Sequence, residues 1–382
     1  MIYFDNAATT GHIPPEVISA VNRALSEYSV NPGRGGYDRS VECTERIYEC
    51  RKKISDMFGA NAPERVIFTA NCTAAINICL KGICRKGDHV VTSSMEHNAV
   101  ARPLYKLQRK GVEVDFAEVI FGDPDATARS FERLIRPDTR LVVCTHASNV
   151  TGEILPIEAI GRICADKGVP FLVDAAQTAG IVDIDMQRCK IDYLCIAPHK
   201  GLYAPMGTGV LIALGEIPDT LFEGGTGSLS TSYDQPKDYP ERFESGTVNV
   251  PGIMGISAGV DFVRKKGIDN IYRHELGLMT YIYDRLKSIK GVVLYTERPT
   301  VGRFVPTLSF NISGMDSTTA AALLAKEGIA VRAGLHCASM AHRRLGTVDI
   351  GTVRICCSVF NNRQQADKLL NTVKNIVKFY KK

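Results

Sequence analysis

No apolar run in the 382-residue chain approaches the length of a bilayer crossing, so no membrane-spanning helix is expected. The first residues, Met1-Ile2-Tyr3-Phe4-Asp5-Asn6, lack the basic segment and apolar core of a secretory signal. No dense basic stretch could track a phosphate backbone, and the net charge is only +5 (46 Lys and Arg against 41 Asp and Glu), which argues against a nucleic-acid partner. There is no Cys-x-x-Cys pair among the twelve cysteines, and no evident metal site. Scattered through helical and apolar segments, most of these cysteines are expected to be small buried hydrophobes of a cytoplasmic protein in a reducing compartment. Only one or two call for a chemical explanation.

What is present is the composition of a folded globular protein. Hydrophobic residues make up 45% and charged residues 23%, and mean hydropathy is −0.03. That is enough apolar side chain to offset the entropy of ordering the chain. The length suggests two or three domains at about 150 residues each.

The order of the elements narrows the fold class to α/β. Pro14-Pro15 open a helix carrying Val17, Ile18, Val21, Leu25 and Tyr28 at helical spacing, and a second helix runs from about 40 to 58 and stops at Gly59. Between them lies the loop Asn31-Pro32-Gly33-Arg34-Gly35-Gly36. Short apolar runs at 66–68, 90–91, 141–143 and 171–173 then read as buried strands, separated by helices around 73–84, 98–110, 126–136 and 156–168. Such alternation implies a mostly parallel sheet covered on both faces. Val112 to Phe116 alternates instead, which suggests a half-exposed strand near an edge. Strands at 192–196 and 208–213 follow, and 226–245 reads as a long loop without a period. After about residue 250 the rhythm changes: a helical stretch over 252–290, strands near 304–311, 329–332 and 352–357, and a Lys-rich helix over 363–381.

Ligands of such sheets bind at the carboxyl ends of the strands. Four strand exits there carry polar side chains: Asn71-Cys72-Thr73, Glu96-His97-Asn98, His146-Ala147-Ser148-Asn149 and Asp174-Ala175-Ala176-Gln177. Alone, Asn71 or Thr73 is more simply a helix cap, and a single strand-end His or Asp is more often structural. Together they would converge on one crevice. The most specific exit is Ala197-Pro198-His199-Lys200-Gly201, because a lysine at the tip of a buried strand must have its charge paired or its pKa lowered. A desolvated lysine is what a Schiff base needs.

At this point the sequence resembles the class V aminotransferase family of fold-type I pyridoxal-phosphate enzymes, within it the short-loop branch of the cysteine desulfurases and selenocysteine lyases. The residues that carry the resemblance span nearly the whole chain: Tyr3 to Thr10, Glu96-His97-Asn98, Ser148 to Gly152, Asp174 to Gln177, His199-Lys200, Phe243 to Thr247 and Arg332 to Ala338. It implies a large domain over 15–250 built on a mostly parallel seven-stranded sheet, and a smaller α+β domain from 1–14 and 251–382. It implies pyridoxal 5'-phosphate as cofactor, held through its aldehyde by Lys200. Asp174 would pair with the ring nitrogen, His97 stack on the ring, and Asn149 and Gln177 bond the ring oxygen. Thr73, His199 and nearby backbone N–H groups would hold the phosphate, Cys72 would also bind the cofactor, and Gly246 and Thr247 of a second subunit would complete the phosphate cup, hence a homodimer. Arg354 and Asn149 would bind the substrate carboxylate.

Cys337, in a Gly- and His-containing loop, would be the nucleophile that takes sulfur from L-cysteine or selenium from selenocysteine and passes it to an acceptor protein or thiol, with Arg332 and His336 favouring the thiolate. Alternatives in which Cys337 is not the nucleophile are a cysteine or cystine β-lyase, an aminotransferase or an epimerase. Relatives of this branch commonly have Ser at position 197, His at 335 and a His before Arg34; here these are Ala197, Leu335 and Gly33. The basic segment Ser339 to Gly346 is expected to be a solvated loop.

Overall fold

A computed structural model describes residues 1–33 and 35–380; Arg34 and the end of the expected C-terminal helix at 381 lie outside the described residues. The first half of the chain alternates as expected. Helices α1 (Pro15–Glu27) and α2 (Asp38–Met57) precede β2 (Val66–Thr69), α3 (Cys72–Ile83), β3 (His89–Ser93), α4 (Asn98–Gln108) and β4 (Glu113–Ala117). Then come α5 (Pro124–Leu134), β5 (Thr139–Thr145), α6 (Ile157–Asp166), β6 (Phe171–Asp174), β7 (Tyr193–Ile196) and β8 (Gly209–Ala213).

These strands form one seven-stranded sheet in the order β2-β8-β7-β6-β5-β3-β4. All neighbours are parallel except that β8 runs against both β2 and β7. Since β2 and β7 both oppose β8, their carboxyl ends reach the same edge as those of β3, β5 and β6. The alternating strand β4 sits at the sheet edge, half-exposed, as its period-2 pattern predicts. β3, β6, β7 and β8 are buried along their length, which explains why they read as continuous apolar runs. On α3 the buried positions Cys72, Ala75, Ile76, Cys79, Leu80 and Ile83 follow one helical stripe, which packs on one face of this sheet.

The helical stretch expected over 252–290 is two helices, α7 (Val250–Lys266) and α8 (Ile268–Lys287). Gly267, at φ +81°, ends the first and starts the second. A four-stranded sheet follows, in the order β12 (Arg332–Gly334), β13 (Thr352–Cys356), β10 (Thr307–Ile312) and β9 (Val292–Leu294). The strand expected over 329–332 is thus split. Its first part, β11 (Ile329–Ala330), pairs instead with β1 (Ile2–Tyr3) in a small parallel sheet. The half-exposed β9 and the helix α9 (Ser317–Lys326) escaped the pattern reading. The segment from Ser339 is also not a solvated loop: Ser339–Leu345 forms helix α10, with Ala341 and His342 buried and the His342 ring bonded to Thr347 Oγ1 (2.8 Å). Helix α11 (Arg363–Tyr380) closes the chain and contributes to a core with α8, β10 and β13.

The N-terminal segment is stitched into this second sheet. Phe4 N–H donates to Ala330, Cys356 N–H donates to Phe4, and Asp5 bridges Cys356. That brings the chain's first acidic residue to the face where β13 meets the large sheet.

Candidate active site

The carboxyl edge of the large sheet and the loop after β12 enclose a cavity of about 230 Å³. Its walls carry Cys72, Thr73, His97, Asn149, Asp174, Gln177, His199, Lys200, Cys337 and Arg354, ten of the twelve site residues expected from the sequence. Gly246 and Thr247 do not line it. They border a separate cleft of about 330 Å³ with Phe68, Ile78 and Phe222.

Each element delivers its residue for a local reason. Asp174 is the last residue of buried β6, and one of its oxygens accepts from Ala176 N–H (2.9 Å) and the Cys72 thiol (3.7 Å). Burial pushes the Cys72 thiol well up, so it stays a donor. Lys200 sits four residues past the end of β7; burial lowers its pKa, with Asp174 opposing and Arg354 reinforcing that shift. His97 caps α4, its Nδ1 accepting from Ala99 N–H (3.0 Å), which leaves its proton on Nε2. Burial lowers His97 to about 4, so the ring is neutral at physiological pH. Asn71, not Thr73, caps α3 by accepting from Ala74 N–H (2.9 Å). The Thr73 hydroxyl is left exposed at the helix start, among N–H groups without intrahelical partners. His199 is tied to Thr9 Oγ1 (3.1 Å) and is likewise lowered to about 4, by burial first and Lys200 second.

The substrate-side residues meet across the two sheets. Arg354, in the middle of β13 and only 2% exposed, donates to Asn149 O and to Asp5 Oδ1, both at 3.0 Å. Its Nε has no partner. Asn149 in turn donates to His336 O (2.7 Å), and Gln177 to Ala7 O (3.2 Å). Cys337 is the one exposed cysteine; the other eleven are buried, as their scattered placement predicts. His336 and Cys337 both adopt positive φ, +49° and +56°, a strained pair of non-glycine residues at the cavity mouth. Asn98 N–H bonds Cys337 O (2.7 Å) and fixes the loop.

Two expectations are corrected. His336 is no cation for the Cys337 thiolate: its Nε2 faces Thr352 O (3.0 Å), and burial, then Arg354, lowers its pKa to about 2. Of the nearby groups, Arg332 remains on the cavity wall. Of the His146-Ala147-Ser148-Asn149 exit, Asn149 reaches the cavity but His146 does not; its Nδ1 pairs with Thr178 Oγ1 (2.9 Å), and burial holds it near pKa 3. Asp5 was missed as a site residue. The signal was available in the quoted segment, where a carboxylate directly follows apolar Tyr3-Phe4.

Tested against pyridoxal phosphate, the donor set fits: a helix start for a phosphate, a buried carboxylate for a ring nitrogen, a desolvated amine for an aldehyde, and a neutral imidazole beside them. Ala197, where a relative's Ser would stand, lines the cavity without a hydroxyl to offer. Among the described residues no group of three or more His, Cys, Asp or Glu is arranged to hold a metal ion, and no helix is long and apolar enough to cross a membrane.

Known proteins resemble this chain along nearly its whole length. A probable cysteine desulfurase of Methanothermobacter thermautotrophicus is 34% identical, covering 98% of this chain and 94% of that protein. A cysteine desulfurase of Haloferax volcanii is 29% identical over 98% of this chain and 88% of its own. The apo structure of a cysteine desulfurase from Thermococcus onnurineus NA1 superimposes with a TM-score of 0.90 at 32% identity, covering 99% of this chain and 95% of that one. The S-sulfonic acid form of an Escherichia coli cysteine desulfurase gives 0.87 at 27% identity, covering 99% and 94%. Residues 2–369 match the model of the class-V aminotransferases, and the chain belongs to that family.

Proposed function

We propose that this protein is a pyridoxal-phosphate-dependent cysteine desulfurase, converting L-cysteine to L-alanine and carrying the sulfur as a persulfide on Cys337. The observation that carries the reading is the position of Cys337: the only exposed thiol of twelve opens onto the cavity that holds Lys200, Asp174 and Arg354.

The bound cofactor supplies an electron sink next to the substrate Cα. The residues of the chain do the rest. Arg354 anchors the substrate carboxylate, its guanidinium held in place by Asn149 O and Asp5 Oδ1. Lys200 Nζ, which first holds the cofactor aldehyde, takes the Cα proton, and its lowered pKa suits it to do so. With the cofactor bound, Asp174 would pair with the ring nitrogen, His97 would cover the ring, Asn149 and Gln177 would bond the ring oxygen, Thr73 and His199 would hold the phosphate, and Cys72, whose thiol donates to Asp174, would support that carboxylate. Cys337 Sγ attacks the substrate sulfur: the S–S bond forms, the C–S bond breaks, and its electron pair remains with the carbon that becomes the alanine methyl. An acceptor protein or a small thiol then removes the outer sulfur.

The same reading makes the protein a cytoplasmic homodimer, with Gly246 and Thr247 of a second copy completing the phosphate site. Their position on a separate cleft, bordered by the exposed Phe222, supports this. It also divides the chain into a large domain and a smaller one. Helix α7 packs with α1 and α2 in the core of the large sheet, which supports a divide near Gly267 rather than at 250.

Brief exposure to L-cysteine followed by mass spectrometry should find the persulfide on Cys337. Cys337→Ala should lose alanine and sulfide formation while keeping the bound-cofactor spectrum. If that variant still makes alanine and sulfide from cysteine under reductant, another reaction of the same cofactor takes its place.

A further inference from the structure

Strand β2 ends the large sheet on one side and pairs with β8 alone, so its outer edge presents backbone groups that no strand meets. Two side chains meet them instead. Arg51, from α2, donates through Nη1 to Val66 O, and Glu244 Oε1 accepts from Phe68 N–H (2.6 Å). The same two side chains bind each other in a bidentate pair, Nη1 to Oε1 at 2.8 Å and Nη2 to Oε2 at 2.6 Å. The guanidinium lies 4.6 Å from the centroid of the Phe68 ring, and the two side chains are only 8% and 7% exposed.

A buried ion pair is weak grounds for stability. Taking both charges out of water offsets much of their attraction, and apolar residues of similar volume often serve as well. What a bidentate guanidinium–carboxylate contact adds is a fixed direction as well as a distance. The segment it directs carries Gly246 and Thr247. Both are exposed, and they follow Glu244 by two and three residues, within roughly 11 Å of the anchor at about 3.5 Å per residue. The other bonds of this stretch go to residues outside helices and strands: Gly246 N–H to Gly225 O (2.9 Å), Ser245 O–H to Phe222 O (3.3 Å) and Gln235 Nε2 to Ser245 Oγ (3.0 Å). Arg51 and Glu244 are what ties it to the sheet.

We propose that Arg51 and Glu244 are positioning residues that act on the other copy of the dimer: the pair holds Gly246 and Thr247 against the edge of the sheet so that they meet the phosphate of the cofactor bound by the second copy. This rests on the reading of Gly246 and Thr247 as the second copy's share of the phosphate site. Strand β2 leads through Thr69 to the start of α3 at Cys72, so one strand carries a copy's own Thr73 and anchors the loop that reaches its partner.

Mixed dimers of the full-length chain test it. Arg51→Met/Glu244→Met removes both charges at once, so neither is left buried alone. Sedimentation and circular dichroism check that this variant folds and dimerises. Its homodimer should hold pyridoxal phosphate about 10-fold more weakly in equilibrium dialysis, the effect of losing roughly one hydrogen bond. Pairing the double variant with Lys200→Ala then separates the two copies. In that mixed dimer Lys200 belongs to the double variant, and the Gly246 and Thr247 that face it come from the chain with the intact ion pair. Borohydride reduction followed by mass spectrometry of each chain reports how fully that lysine is loaded. The double-variant chain should load with an affinity within about two-fold of wild type. Loading as weak as in the double-variant homodimer would show that the pair serves its own copy's site, and overturns the proposal. A homodimer of wild-type affinity overturns it too. Glu244→Gln, which keeps an acceptor for Phe68 N–H, should give the same rescue from a smaller loss, and decides the question if the double variant does not fold. A wild type that sediments as a monomer would refute the dimer reading and the proposal with it, whereas a dimeric wild type whose variants bind the cofactor normally refutes the proposal alone.

Discussion

Glu96 offers a direct test of the electrostatics. It is fully buried at the turn between β3 and α4, where Oε1 accepts from Ser93 O–H (2.5 Å) and Thr145 N–H (2.9 Å) while Oε2 has no partner. Burial raises its pKa from 4.5 to about 8, against the lowering effect of those two hydrogen bonds, and Asp174 adds to the rise. Between these two values the folded protein keeps a proton that the unfolded chain has released. Stability from this group is therefore complete below pH 4.5, falls as pH rises, and is gone above pH 8. At 1.36 kcal/mol per unit, the interval from pH 5.5 to 8 removes about 3 kcal/mol. Glu96→Gln keeps the Oε1 acceptor and has no proton to lose, so its stability should not decline through this group. Denaturant unfolding of both proteins at pH 5.5 and 8 isolates the effect, because every other titrating group contributes equally to both. The wild type should lose about 3 kcal/mol more than the variant over that interval. Parallel stability curves would show that Glu96 ionises normally and that its pocket is not dry.

Two further outcomes follow from packing. An alkylating reagent should modify one thiol per chain in the native protein, Cys337, and all twelve after unfolding; a second fast-reacting thiol would contradict the burial of the other eleven. Gly209→Ala would place a Cβ 2.2 Å from the carbonyl carbon of Asn71, so the capping turn of α3 must move. The variant should lose roughly 1–3 kcal/mol and retain pyridoxal phosphate less well on dialysis, read by the cofactor's absorbance; unchanged retention would remove the start of α3 from the phosphate site.

The legible part of the site was the part carried by strand exits. Asp174 and Lys200 follow apolar runs too short and too apolar to be anything but buried strands, so their exposure to a common edge could be read from order alone. The small sheet was harder. β9 is half-exposed and three residues long, so nothing local marks it, and the single strand expected over 329–332 gives no sign that it divides into β11 and β12. The basic segment after Cys337 misled because its charges concealed a buried face: Ala341 and His342 point inward while Arg343 and Arg344 do not.

The sequence by itself determined the alternation of buried strands and amphipathic helices, the polar residues at the strand ends and the family to which they belong, because these depend on local periodicity and on motifs read in order. Only the tertiary structure decided the pairings between distant segments. It brought Asp5 to Arg354 across 349 positions of sequence, turned His336 into a buried neutral ring beside Thr352, and set Glu275 against Tyr203. A side chain's charge state depends on how completely its neighbours exclude water, and those neighbours are assembled only when the chain is folded.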